Sequence, residues 1–326
     1  MLPLSIAVAD TDRIRPLADG RVTVAGCTAT VLRLGVEELM FRGSRGAEFD
    51  VCELALGAYL GMLDRGDCPY VAIPVFPARA FRHNCIYVRT GIERPEQLRG
   101  RRVGVPDWTL TTAIWARGLL TDDYGLALSD IDWLSGGLEQ PDRAARVPSA
   151  VPKGVTLASL PAGRTLSGML AAGEIDAIIA SRPPSCVAQG HPGVGRLFPD
   201  WAAAERDWWD RHRVFPIQHA IMLRRALLAE QPWLGAAVQA GFEAAKAMAQ
   251  AELRQADPIP YSLPWLGTAV EAAERAFGAD PWPYGIEANR TALAMLCRLA
   301  QAQGVTRRLF AVDALFDPAV FARTAA

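Results

Sequence analysis

Lysine is almost missing from this chain of 326 residues, which carries only Lys153 and Lys246. Its positive charge is therefore arginine, whose planar guanidinium grips a carboxylate through two parallel hydrogen bonds where an ammonium offers a point charge. A GC-rich genome explains the same bias in simple terms. Net charge is missing too: the formal value is -1. That removes any electrostatic reason to expect nucleic acid or an anionic membrane as partner. The six cysteines, Cys27, Cys52, Cys68, Cys85, Cys186 and Cys297, form no C-x-x-C pair and no His/Cys cluster. This argues against a zinc site, a redox motif or a dense disulfide framework. There is no H-x-H, no H-E-x-x-H, no Walker loop and no G-x-G-x-x-G, so neither a metal nor another cofactor is expected. The N-terminal "MLPLSIAVADTDRIRP" has no basic leader and no long apolar core, and no apolar run reaches the length of a membrane span. The reading is a cytoplasmic protein. No internal repeat or low-complexity tail is present.

What remains is an ordinary globular composition, 51% hydrophobic and 21% charged, on a chain long enough for two lobes. Strand patterns ("LSIAVAD", "TATVLRLG", "YVAIPVF", "HNCIYVR", "GRRVGVPD", "IDWLSGG", "IDAIIAS") alternate with helical ones ("VEELMFRG", "TLTTAIWARGLLTDDYG", "GRTLSGMLAAGE"). Such alternation predicts an α/β fold with a mainly parallel sheet. "FDVCELALGAYLGMLDRG" reads as a strand end passing into a helix. "LEQPDRAARVPSAVPKGVTLASLPAG", rich in proline and small residues, predicts a surface excursion. Beyond "HRVFPIQHAIMLRR" the pattern is helical, with a long alanine-rich segment and a last helix closed by Gly304. The arrangement predicts two α/β lobes: residues 1–82 with 215–326, and an inserted lobe at 83–214. The chain would cross between them near Phe81–Asn84 and Val214–His219. A ligand would lie between the lobes, at the C-terminal ends of strands.

"AIPVFPARAFRHNCIYVR", "GVPDWTLTTAIWARGLLTDDYG", "IDWLSGGLEQ", "FPIQHAIMLRR" and "PYGIEANRTAL", in that order, resemble the 4,5-dihydroxyphthalate decarboxylases, a family of the type 2 periplasmic-binding-protein-like superfamily. The P-x-R-x-F-R-H strand and the T-T-A-x-W-x-R-G helix are the most specific elements, and the resemblance spans nearly the whole chain. It implies a two-lobed fold with the ligand in the cleft between lobes, and decarboxylation of 4,5-dihydroxyphthalate to protocatechuate (3,4-dihydroxybenzoate) in phthalate breakdown. The fold itself also serves transport receptors and unrelated enzymes. A binding protein or sensor for an aromatic carboxylate, or a decarboxylase of another hydroxylated aromatic acid, are therefore the competing readings. The expected partner is a small aromatic dicarboxylate, and a homo-oligomer is left open.

The candidate residues follow from this frame. Strand alternation would give Arg79, Phe81, His83 and Cys85 one face, and Arg82, Asn84 and Ile86 the other. Arg79 and Arg82 are candidate forks for a dianion, the plain alternative being that one pairs with a surface acid and the other stiffens the hinge. Thr111 and Thr112 stand where a helix would start and could cap it towards a carboxylate; Arg117 would reach the cleft or pair with Asp122 or Asp123. Trp108 and Trp115 are candidate stacking partners for a ring. Glu53, read at a helix start, is either a dipole-favoured carboxylate or a proton carrier. Ser181 and Arg182 close a strand where ligand contacts are expected, and Tyr284 lies at a helix-entry turn. Of four histidines, His191 and His212 read as exposed bystanders, while His83 and His219 fall at the two crossings. Decarboxylating a hydroxylated ring without a cofactor needs a base near a phenol, an acid near the ring carbon and a clamp on the carboxylate that stays. His83 and His219 are the candidates for acid and base, with Glu53 as the other base.

Overall fold

The computed structural model of the chain describes residues 1–142 and 150–321. The chain opens with strand β1 (Leu2–Val8), a short helix α1 (Arg15–Ala18), β2 (Cys27–Arg33), helix α2 (Val36–Gly46), β3 (Val51–Ala55), helix α3 (Leu56–Arg65) and β4 (Tyr70–Arg79). A single helical turn at His83–Cys85 leads into β5 (Ile86–Arg89), β6 (Arg102–Val105), helix α4 (Thr111–Asp122), β7 (Asp132–Ser135) and β8 (Leu157–Ser159). Helix α5 (Leu166–Ala171), β9 (Ala177–Ile179), helix α6 (Ser185–Ala188), β10 (Val194–Arg196) and helix α7 (Trp201–His212) come next. After β11 (Ile217–Arg224) the chain is helical: α8 (Arg225–Glu230), α9 (Leu234–Leu253), α10 (Leu266–Phe277) and α11 (Arg290–Ala302).

The strands form two mixed sheets. The first has the order β2-β1-β3-β11-β4 and the second β10-β5-β9-β6-β7-β8. The chain thus leaves the first sheet after β4 and rejoins it at β11. β1 runs parallel to β2 and β3, whereas β11 is antiparallel to β3 and β4. β4 carries Pro74 and Pro77, which cannot donate to a ladder, and it lies at the edge of its sheet as that chemistry requires. β3 is central and all five of its residues are buried, so its apolar run is continuous rather than alternating.

The two sheets meet through helix N-termini. A side chain at Gly57, in the first turn of α3, would place its Cβ 2.1 Å from the Thr109 carbonyl oxygen ahead of α4, so only glycine allows this approach. The helical tail also reaches across. Gln303, just past α11, accepts from Arg117 Nε at 2.7 Å through its side chain and from Trp108 Nε1 at 2.9 Å through its carbonyl. Its Nε2 donates to the Ile114 carbonyl at 2.8 Å.

Two expectations change, and the first is Glu53, read at a helix start, which lies inside strand β3. Strand alternation does not continue through "ARAFRHN": β4 ends at Arg79 and His83–Cys85 is a helical turn, so the two proposed faces there do not exist. The stretch expected as a surface excursion contains the short edge strand β8, and most of its described residues are exposed. Its residues 143–149 lie outside the described residues. The segment around His212 is the twelve-residue helix α7, capped by the Asp200 side chain, which accepts from Ala203 N–H at 3.0 Å.

Candidate active site

The chemistry-bearing pair lies in the first sheet. In the β3–β11 ladder Ala55 stands opposite His219 and Glu53 opposite Ile221. The Glu53 and His219 side chains therefore project from one face as diagonal neighbours. His219 Nδ1 is 2.6 Å from Glu53 Oε1, and the Ala9 N–H just beyond β1 donates to Glu53 Oε2 at 3.1 Å. Glu53 is 1% exposed. Burial alone would raise its pKa, but the hydrogen bond and charge of His219, the Ala9 N–H and the Arg13 charge outweigh burial and hold the carboxylate below its usual range. Glu53 thus fixes the orientation of the imidazole ring. Among the described residues His219 Nε2 has no hydrogen-bond partner, and it is not sealed from solvent.

The connection after β1 reaches strand β4 at Pro77, next to Ala78, which stands opposite His219. Arg13 donates Nε to the Pro77 carbonyl at 2.6 Å and an Nη to Asp12 Oδ1 at 2.8 Å, while its guanidinium lies 4.1 Å over the Trp282 ring. Tyr284 is buried, its hydroxyl is sealed without a hydrogen-bond partner, and Lys246 Nζ lies 4.6 Å from the centre of its ring. Burial raises the phenol pKa, partly countered by Arg13 and Arg79 and reinforced by Glu53. The Thr11 hydroxyl is likewise sealed and unpartnered. Among the described residues no group of three or more His, Cys, Asp and Glu side chains converges as metal ligands.

Relatives of known activity decide the family. A 4,5-dihydroxyphthalate decarboxylase of Comamonas testosteroni is 41% identical over 320 residues, covering 98% of this chain and 97% of its own length. The chain belongs to the 4,5-dihydroxyphthalate decarboxylase family. A second member, from Pseudomonas putida, is 46% identical over 210 residues, or 64% of this chain and 81% of that protein. No family model matches. Among solved structures, the periplasmic aliphatic sulphonate binding protein SsuA of Escherichia coli superposes with a TM-score of 0.55 at 13% identity, over 97% of this chain and 92% of its own. The alkanesulfonate-binding protein SsuA of Xanthomonas axonopodis pv. citri, bound to MOPS, gives 0.55 at 13% identity over 97% and 98%. This likeness gives the fold, a two-lobed type 2 periplasmic-binding-protein-like architecture.

For this decarboxylase-family chain, the structure sorts the residues singled out by sequence. It joins Glu53 to His219 and buries Tyr284, whose phenol pKa the Glu53 charge helps to raise. Arg79 is turned to structural use: it donates to the Phe215 carbonyl at 3.2 Å, to the Pro283 carbonyl at 2.7 Å and to Asn289 Oδ1, and burial lowers its pKa to about 10. Arg117 is fully buried, lies 3.7 Å over Trp108 and donates to Gln303 and to the Trp108 carbonyl. Neither the cleft nor Asp122 nor Asp123 receives it: Asp122 pairs with Arg298 and Asp123 with Arg211 and His212. Trp108 and Trp115 are core residues whose indole N–H groups reach the carbonyls of Gln303 and Ile217.

Thr111 does not cap its own helix; its Oγ1 accepts from Gly57 N–H at 2.9 Å and so joins α4 to α3. Thr112 Oγ1 lies 3.5 Å from Gln218 Oε1, one residue from His219. Ser181 is exposed, and Arg182, 54% exposed, reaches Glu37 at 3.2 Å and so ties the end of β9 to the start of α2. Arg82 and His83 line a narrow cavity with Trp115 and Trp208. Both His83 nitrogens are sealed and unpartnered, and desolvation pushes its pKa down to about 4. His212 is no bystander: it pairs with Asp123 at 2.8 Å and stacks on Trp208 at 4.5 Å. Sequence reading did not single out Thr11 and Arg13. Their signal was available, because "ADTDR" is a polar cluster at the C-terminal end of the first strand, where α/β sheets hold ligands.

Proposed function

We propose that this protein decarboxylates 4,5-dihydroxyphthalate to 3,4-dihydroxybenzoate and CO2, with His219, oriented by Glu53, delivering the proton. The single observation that carries the mechanism is the Glu53–His219 pair, with Nδ1 engaged and Nε2 free. The activity rests on the relatives named above, and the residues support it chemically.

Each carboxylate of the substrate lies para to a hydroxyl, which feeds electron density towards the carbon that bears it. Protonated His219 gives its Nε2 proton to that carbon, and a C–H bond forms. The C–C bond to the carboxylate then breaks, its electron pair returns to the ring as aromaticity is restored, and CO2 leaves as a neutral molecule. His219 regains a proton from solvent, which balances the one proton the reaction consumes. Glu53 stabilises the imidazolium, and general acid catalysis of this kind contributes about 10²–10⁴-fold. With lobes at 1–82 plus 215–326 and at 83–214, closure would exclude water and favour the loss of charge. His83 is assigned no step, because it is held neutral inside an aromatic cavity.

The test is to mix chelator-treated protein with 4,5-dihydroxyphthalate and follow CO2 and the aromatic product. Equimolar CO2 and 3,4-dihydroxybenzoate are expected. Tight binding without turnover, unchanged after divalent metal is added back, would make the protein a receptor instead.

A further inference from the structure

We propose that Arg13 grips the carboxylate that the substrate keeps, and that this grip is why only one CO2 is lost. The inference rests on the function proposed above. Of the four arginines singled out from the sequence, Arg79 and Arg117 are engaged with carbonyl and amide oxygens, and Arg182 with Glu37. Arg82 lies in the aromatic cavity with His83. Arg13, a fifth, is held beside the pair: it donates to the Pro77 carbonyl, and the next residue, Ala78, stands opposite His219 in the β4–β11 ladder.

Its geometry suits a clamp. Three anchors fix the guanidinium: the Pro77 carbonyl, Asp12 and the face of Trp282. One terminal nitrogen, Nη2, has no hydrogen-bond partner among the described residues, and the side chain remains 16% exposed. A guanidinium already held loses little rotamer freedom when it binds, which favours affinity.

The consequence concerns chemistry as well as binding. The product, 3,4-dihydroxybenzoate, still carries a carboxylate para to a hydroxyl and is electronically open to a second decarboxylation. A carboxylate in a charge-assisted contact with Arg13 would have to give that contact up to depart as neutral CO2, so the clamp opposes loss of the group it holds. The other carboxylate, on the neighbouring ring carbon, is presented to His219. Product then binds through the same contact and competes with substrate.

Phthalate tests this directly, because it has both carboxylates and no hydroxyl and so binds without reacting. Calorimetry would compare wild type, Arg13→Gln, Arg13→Lys and His219→Asn. Arg13→Gln should weaken phthalate by about tenfold or more, with Arg13→Lys intermediate and His219→Asn close to wild type. KM for 4,5-dihydroxyphthalate and the inhibition constant of 3,4-dihydroxybenzoate should rise by a similar factor in Arg13→Gln, with kcat much less affected. A merely structural arginine would not produce that KM-against-kcat split or its partial rescue by lysine. Arg13→Gln with phthalate affinity and KM within twofold of wild type would overturn the proposal, as would two CO2 released per substrate by wild type. If wild type binds phthalate but does not turn over 4,5-dihydroxyphthalate, the proposed function fails while the carboxylate clamp is still read by the binding series.

Discussion

Glu53 and His219 sit on adjacent antiparallel strands, diagonal to one another, with 2.6 Å between Oε1 and Nδ1. A carboxylate inside a fully buried strand carries a large desolvation cost unless it is hydrogen-bonded and paired, and here both oxygens have partners. Glu53 is thereby positioned to orient His219, the proposed proton carrier.

Glu53→Gln tests the orienting role. The amide retains the shape and the contact to Ala9 N–H but removes the charge that supports an imidazolium. Steady-state kinetics should show kcat reduced by roughly 10²-fold or more with KM little changed. A variant with wild-type kcat would remove Glu53 from the mechanism.

His83 should matter for stability and not for turnover. Burial pushes its pKa down from 6.5 to about 4, so between those values the unfolded chain binds more protons than the folded one. Stability therefore rises with pH across that window, by roughly 3 kcal/mol at most from this group. His83→Phe should flatten that part of the stability profile in denaturant titrations and leave kcat within about threefold of wild type, because it removes two unpartnered nitrogens from an aromatic cavity. A lost activity with intact folding would return His83 to the catalytic set.

Arg182 is expected to behave as a surface residue. Its contact with Glu37 is between two half-exposed side chains and is worth at most about 1 kcal/mol. Arg182→Ala should change KM for the dicarboxylate by less than about threefold, with a small effect that shrinks further at high salt. A tenfold rise in KM that salt does not abolish would make Arg182 a ligand contact.

The two-sheet plan was legible because it depends on local signals. The alternation of "LSIAVAD" and the closure of the last helix near Gly304 each state their structure within a few residues. The arginines were not legible, because their partners are distant in sequence. Arg79 meets Asn289 and Arg117 meets Gln303, so no nearby acid marks either as structural. Glu53 was misplaced for a related reason: "CELALG" suits a helix start as well as a strand, and only pairing with β11 holds residues 51–55 extended. Arg13 was not singled out because nothing in "ADTDRIRP" marks it out from its polar neighbours, and its bond to the Pro77 carbonyl comes from packing against the distant strand β4.

The central claim is that His219 delivers the proton, and single-turnover kinetics of His219→Asn with 4,5-dihydroxyphthalate test it most directly. The account predicts that the variant binds phthalate like wild type yet releases CO2 and 3,4-dihydroxybenzoate at least about 10²-fold more slowly. CO2 release at the wild-type rate would contradict it and require another proton donor.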